Sequence, residues 1–227
     1  MKRAAVILLI VSLVLTGFLV VLPGHSALAQ DNREPVIFIP GWGEDILVFT
    51  AMVTRLKSWG VVCYPESNIL RGVVDIRDSA SKLARRVNEI KALTGSSKVD
   101  LVGHSEGGLI ARYYIQRLGG VANVDDYVSI GTPHQGTLLA LLGLLSPSAW
   151  QMVPGNPFLV DLNTPDCTPG SVKYTAIYTI FDEAVIPFTN AMYPDPTVIH
   201  KKATWFVLHI GMLWDPTIAR WVDEALD

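Results

Sequence analysis

Charge is scarce in this chain: Lys, Arg, Asp and Glu together supply 17% of its 227 residues, against 50% hydrophobic. So little charge on so apolar a chain excludes a disordered or fibrous protein, and the length suits one compact domain with a sizeable core. Basic residues are the scarcer sign, 18 Lys plus Arg against 21 Asp plus Glu, and they gather nowhere into a run. That argues against nucleic acid as a partner, because phosphate contacts need a basic face. A neutral or lipidic substrate fits better. Internal repeats are lacking, and so is low-complexity sequence beyond the N-terminus.

The N-terminus carries the one long hydrophobic run. Lys2 and Arg3 precede an uncharged stretch from Ala4 to Leu22, a Pro23-Gly24 break, and the small-residue site Ala27-Leu28-Ala29 before Gln30. This reads as a secretory signal peptide over residues 1–29, followed by a single domain over 30–227. An uncleaved anchor is the alternative, since the run is long enough to cross a bilayer. Either way the domain is expected outside the cytoplasm. Cleavage removes two basic residues and no acidic one, making the formal charge of −3 two units more negative. The two cysteines, Cys63 and Cys167, would meet an oxidising compartment. They are nonetheless expected to stay unpaired: the sheet reading below puts them roughly four strand spacings apart, beyond the reach of a disulfide.

Residues 35–39 form a continuous apolar run ending at Pro40-Gly41-Trp42-Gly43, the pattern of a strand buried on both faces that enters a tight loop. Ile46, Phe49, Val53, Leu56 and Trp59 recur at helical spacing ahead of Gly60. A second strand is predicted at 61–64, and Ile76, Ala80, Leu83, Val87 and Ile90 draw the apolar stripe of a second helix. Further strands are predicted at 98–103, 127–130, 173–180 and 204–208, with helices at 107–118 and from Asp215-Pro216 to the C-terminus. Strands alternating with helices mean an α/β fold, here an about six-stranded, mostly parallel sheet with helices on both faces. The rhythm breaks between 136 and 170, where an apolar burst from Leu138 to Leu145 precedes a loop rich in Pro, Asn and Asp. Such a burst is either buried or an interface for lipid; burial against the core is the favoured expectation, with a lid or acyl-chain wall as the alternative.

Gly103-His104-Ser105-Glu106-Gly107 matches G-x-S-x-G between an apolar strand and a helix, the context of a nucleophile elbow. A serine hydroxyl is a poor nucleophile until an imidazole takes its proton and a carboxylate orients that imidazole. In this architecture the acid and then the histidine follow in order, each after a later strand, which nominates Asp182 and His209. Glu183 is the rival acid, its side chain expected to point elsewhere along the loop. His104 is read as turned away from the chemistry, His25 falls within the leader, and His134 and His200 are read as structural residues in polar connections. Two backbone N–H groups are needed for the oxyanion, one after the nucleophile and one after the first strand, nominating Glu106 and Trp42.

These residues resemble the small bacterial triacylglycerol lipases of the α/β-hydrolase superfamily, the minimal secreted Bacillus-type and class 2 lipases in particular. The likeness runs through Pro35 to Gly43, Val99 to Tyr114, Tyr174 to Tyr178 ahead of Asp182, and His209 to Gly211. It implies Ser105 as nucleophile, Asp182 as acid, His209 as base, and Trp42 with Glu106 as oxyanion donors. It also implies acyl transfer from lipid esters by a monomer, with neither metal nor organic cofactor. Pro40-Gly41 stands where such lipases carry His-Gly, Glu106 where they carry Met or Gln, and the insertion is longer. The Glu106 carboxyl is expected either to turn towards the helix N-terminus or to be held protonated, costing activity at high pH. The same triad would serve an acyltransferase or thioesterase, and a non-catalytic exported lipid-binding domain is the alternative from another class.

Overall fold

A computed structural model describes residues 33–66, 73–143 and 145–226. The leader reading, His25 and Leu144 of the apolar burst lie outside the described residues. Six strands form one sheet: β1 (Val36–Ile39), β2 (Cys63–Pro65), β3 (Val99–His104), β4 (Val124–Ile130), β5 (Lys173–Thr179) and β6 (Ile199–Ala203), in the order β2-β1-β3-β4-β5-β6. Every pairing is parallel. The helices are α1 (Thr50–Ser58), α2 (Ile76–Thr94), α3 (Glu106–Arg117), α4 (Pro147–Gln151), α5 (Pro157–Asn163) and α6 (Pro216–Asp223).

Alternation along the strands divides the core in two. Ile37, Ile39, Val99 and Leu101 pack with α2 and α3, including Leu83, Val87, Ile110 and Tyr114. Val36, Phe38, Val102 and Val128 pack with α1 and α6, including Met52, Leu56, Ile218 and Val222. The central strands β1 and β3 therefore bury both faces, which is why β1 reads as an unbroken apolar run and β3 as one interrupted only by Asp100 before Gly103. The helices start where their caps dictate: Asp75 accepts the Arg77 N–H at the head of α2, and Asp215 accepts those of Thr217 and Ile218 at the head of α6, ahead of Pro216. Strand order reverses between β1 and β3, so the loops leaving their carboxyl ends diverge and open a crevice there.

Three expectations need correction. The last strand is Ile199–Ala203, not 204–208; at the sheet edge β6 keeps one paired side, so Lys201 and Lys202 are tolerated. The apolar residues read as that strand lie in a loop, Val207 turned into the core and Trp205, Phe206 and Leu208 exposed, Phe206 at 74%. His200 accordingly sits on β6, where its Nε2 accepts the Tyr193 N–H. The apolar burst forms a 3-10 turn, Leu138–Gly143, and is largely exposed, Leu142 at 85% and only Ala140 buried. Cys63 and Cys167 are both buried and unpaired, as expected.

Asp100, on β3, is fully buried; its Oδ1 accepts the Asp126 N–H at 2.9 Å, and among the described residues its Oδ2 has no hydrogen-bond partner. Burial, with the nearby negative charge of Asp126, pushes its carboxyl up to about 8 from an ordinary 3.8. Between those values the native state holds a proton that the unfolded chain releases, so stability is lost as pH rises through that window. Asp100→Asn, which keeps the acceptor, is expected to flatten the fall of the urea midpoint between about pH 5 and about pH 8. Equal slopes in the two proteins would contradict this.

Candidate active site

The chain passes from β3 into α3 through a single residue, Ser105, held at φ 52 and ψ −126. It is the one non-glycine among the described residues at positive φ. An L side chain there costs free energy that the surroundings must hold in place. They do so by close backbone approach: a Cβ at Gly107 would strike the Ile39 carbonyl, and one at Gly103 would strike the Gly108 backbone. Gly41 completes the fit, since a Cβ there would lie 2.7 Å from the Ser105 Cβ. The β1 loop and the elbow are thus pressed together, and only glycine permits it.

Asp182 lies three residues after β5. Its Oδ1 accepts the N–H groups of Ala184 at 2.9 Å and Val185 at 2.7 Å, which fixes the carboxylate. His209 Nδ1 stands 3.0 Å from Asp182 Oδ2 and 2.9 Å from Oδ1. A carboxylate only accepts, so Nδ1 carries the proton and Nε2 is left as an acceptor. The imidazole also lies against the end of β4, where a Cβ on Gly131 would be 3.0 Å from its Nδ1. Glu183, the rival acid, points to the backbone instead: its Oε2 accepts the His209 N–H at 2.8 Å. Asp182 and Glu183 between them therefore hold ring and main chain of the same histidine.

Ser105 and His209 open onto one cavity of about 340 Å³, whose other walls include Trp42, Leu139, Leu142, Met152 and Val185. The insertion builds most of its apolar side. It is tied to the acid loop by Thr137, whose Oγ1 accepts the Ile186 N–H and donates to the Ala184 carbonyl. It is tied to the β1 loop by the Trp42 indole, which donates to Ser146 Oγ at 3.2 Å. No acceptor among the described residues takes the Trp42 main-chain N–H, and that of Glu106 belongs to the first turn of α3, where helices leave donors unpaired.

Glu106 is fully buried, and among the described residues neither carboxyl oxygen has a partner in hydrogen-bonding geometry. Burial, reinforced by the negative charge of Glu44, drives it well above the usual carboxylate range, against a smaller opposing effect of the Ser148 hydroxyl. Glu106 stands in the first turn of α3, yet the upward shift of its carboxyl runs in the direction of the protonated form, the second of the two expectations for this residue.

Two residues escaped the sequence reading. Glu44 lies in the cavity wall, and His104, read as turned away, is buried with its ring centre 4.6 Å from that of His209. Glu44 bonds His104 Nδ1 at 2.8 to 2.9 Å. The only available signal was position, an acidic residue three places after Gly41 in the loop facing the elbow. His134 is structural as expected, buried between Ser129 Oγ and the Arg112 guanidinium. Among the described residues, no group of three or more His, Cys, Asp and Glu is placed to hold a metal ion.

With this geometry in place, comparison with known proteins is informative. Residues 35–193 match the family model described as palmitoyl protein thioesterase. A triacylglycerol lipase of Pseudarthrobacter phenanthrenivorans is 43% identical over 61 residues, 26% of this chain and 18% of that protein. Lipase B of Pseudozyma antarctica is 28% identical over 120 residues, 49% of this chain and 35% of that one. The alignments thus span well under half the length of these relatives. Among solved structures, Aspergillus fumigatus lipase B superposes with a TM-score of 0.77 at 23% identity, covering 90% of this chain and 55% of that one. The mature Bacillus licheniformis lipase BlEst2 superposes at 0.71 with 16% identity, covering 86% and 93%. The family match spans most of the chain, and the sheet and its neighbours agree with it: the chain belongs to the palmitoyl protein thioesterase family and has the α/β-hydrolase fold of lipases.

Proposed function

We propose that this protein is an exported serine hydrolase that cleaves carboxylic esters of lipids through an acyl-enzyme on Ser105. One observation carries the reading: a strained elbow serine and a carboxylate-oriented histidine open onto the same apolar cavity. Ser105 Oγ attacks the carbonyl carbon while His209 Nε2 takes its proton; Asp182 orients the imidazole and stabilises its charged form. The N–H groups of Trp42 and Glu106 receive the negative charge that develops on the carbonyl oxygen. The imidazolium then protonates the leaving alcohol, and a water activated by the same histidine releases the acid. Relatives named as triacylglycerol lipase and lipase B support the ester, and the family match supports a thioester as a second substrate for the same acyl-enzyme.

The surroundings suit a lipid. No Lys, Arg, Asp or Glu occurs from residue 133 to 160, and Leu138, Leu141, Leu142, Leu145 and Trp150 are exposed there, beside the cavity mouth. Exposed apolar side chains on an uncharged segment favour transient contact with a lipid surface, made by a monomer. Export rests on the leader sequence alone.

Hydrolysis of p-nitrophenyl butyrate and palmitate tests the reading. Ser105→Ala is expected to abolish turnover, and Asp182→Asn to lower kcat by about 10⁴-fold with a small change in KM. A folded wild type without turnover would favour the lipid-binding alternative. The pair Leu141→Ser and Leu145→Ser lies outside the cavity wall; together they are expected to weaken partition onto zwitterionic vesicles about tenfold or more, leaving a soluble ester unaffected. Unchanged partition would remove the surface role. With the Glu106 carboxyl pushed upward by burial, its ionisation on raising the pH would put a charge on the residue whose N–H is proposed as an oxyanion donor, so Glu106→Gln is expected to retain kcat/KM at high pH where the wild type declines. Coincident pH-rate profiles would show that the carboxyl does not matter.

A further inference from the structure

The proposed triad leaves a second buried acid–histidine pair unexplained. Glu44 closes its own turn: its N–H donates to the Gly41 carbonyl at 3.2 Å, and its Oε2 accepts the Gly41 N–H at 2.6 Å. The same carboxylate lies 2.8 to 2.9 Å from His104 Nδ1, and His104 Nε2 lies 3.3 Å from the His209 carbonyl oxygen. A continuous path therefore runs from the peptide next to Trp42, through Glu44 and His104, to the main chain of His209. Both acceptors that His104 faces, a carboxylate and a carbonyl, require protons from its ring, so both contacts together call for the imidazolium form. The fit is consistent with this: burial opposes charge on each partner, yet their attraction outweighs it, raising His104 and lowering Glu44. The other titratable groups facing the pair are Asp182 and His209, and Glu106 lies within electrostatic reach of Glu44.

A carboxylate so close to the place where an anion must form is unfavourable for catalysis unless it is neutralised and put to use. His104 neutralises it, and its use is mechanical. We propose that Glu44 is a positioning residue for acyl transfer, fixing the oxyanion loop through Gly41 and the catalytic histidine's main chain through His104, so that donor and base are set by one side chain. This rests on the triad reading given above.

Glu44 and His104 act through each other, so their effects on turnover should not add. Glu44→Gln is expected to lower kcat for p-nitrophenyl butyrate about 10- to 100-fold with KM little changed, because a misplaced base or donor affects the transition state. His104→Gln should do the same, the double variant should fall no further, and Glu44→Asp, which keeps both acceptors, should recover most of the loss. The imidazole N–H proton resonance of His209, read by NMR without substrate, is expected to shift in Glu44→Gln. A folded Glu44→Gln with kcat within about twofold of wild type and an unmoved resonance would overturn the proposal. If Glu44→Gln does not fold, Glu44→Asp decides: kcat and resonance near those of wild type support the proposal, and an activity as low as that of His104→Gln overturns it. If the wild type shows no Ser105-dependent turnover while the resonance still shifts, the acyl-transfer reading fails and the positional link to His209 stands.

Discussion

The site depends on one steric constraint: backbone pressed against backbone at the β3–α3 turn. Gly107 lies on the Ile39 carbonyl, Gly103 on the Gly108 peptide, and Gly41 against Ser105 itself, leaving the serine in a conformation that an L residue adopts only when its neighbours compel it. The parallel sheet supplies the compulsion. Because β1 and β3 are neighbours and their following loops diverge, the elbow and the loop after β1 face each other across the crevice, while β5 and β6 bring Asp182 and His209 to the same end. Everything proposed for the chemistry requires that turn to stay closed.

Around it sit four acidic side chains that environment has set to different tasks. Asp182 holds the imidazole, Glu183 the main chain of the same residue, Glu44 the turn at Gly41 together with His104, and burial drives the carboxyl of Glu106 well above the usual carboxylate range. Separate partners keep the three engaged carboxylates apart in role, and desolvation silences the fourth. The site, proposed to receive developing negative charge, can hold so many acids only on these terms.

Much of this was legible in the sequence, for physical reasons. Strands buried on both faces write themselves as apolar runs, so β1 was plain and β3 legible despite Asp100, and glycines around Ser105 announced the elbow. Edge position undid the reading of β6: with one face half open, Ile199–Ala203 carries two lysines and resembles a loop, whereas the apolar Trp205, Phe206 and Leu208 resemble a strand but lie on the surface. The apolar burst from Leu138 misled likewise, because apolar sequence alone does not distinguish a buried segment from an exposed one. Glu44 and His104 were invisible because their link joins a loop to the last residue of a strand 60 residues away, and no periodicity records such a contact.

The most direct test of the central claim is covalent. Incubating the protein with a fluorophosphonate and mapping the adduct by peptide mass spectrometry asks whether the elbow serine is the activated nucleophile. A single adduct on Ser105, lost in His209→Asn, is the predicted result; a folded protein that takes no label, or takes it elsewhere, would contradict the account.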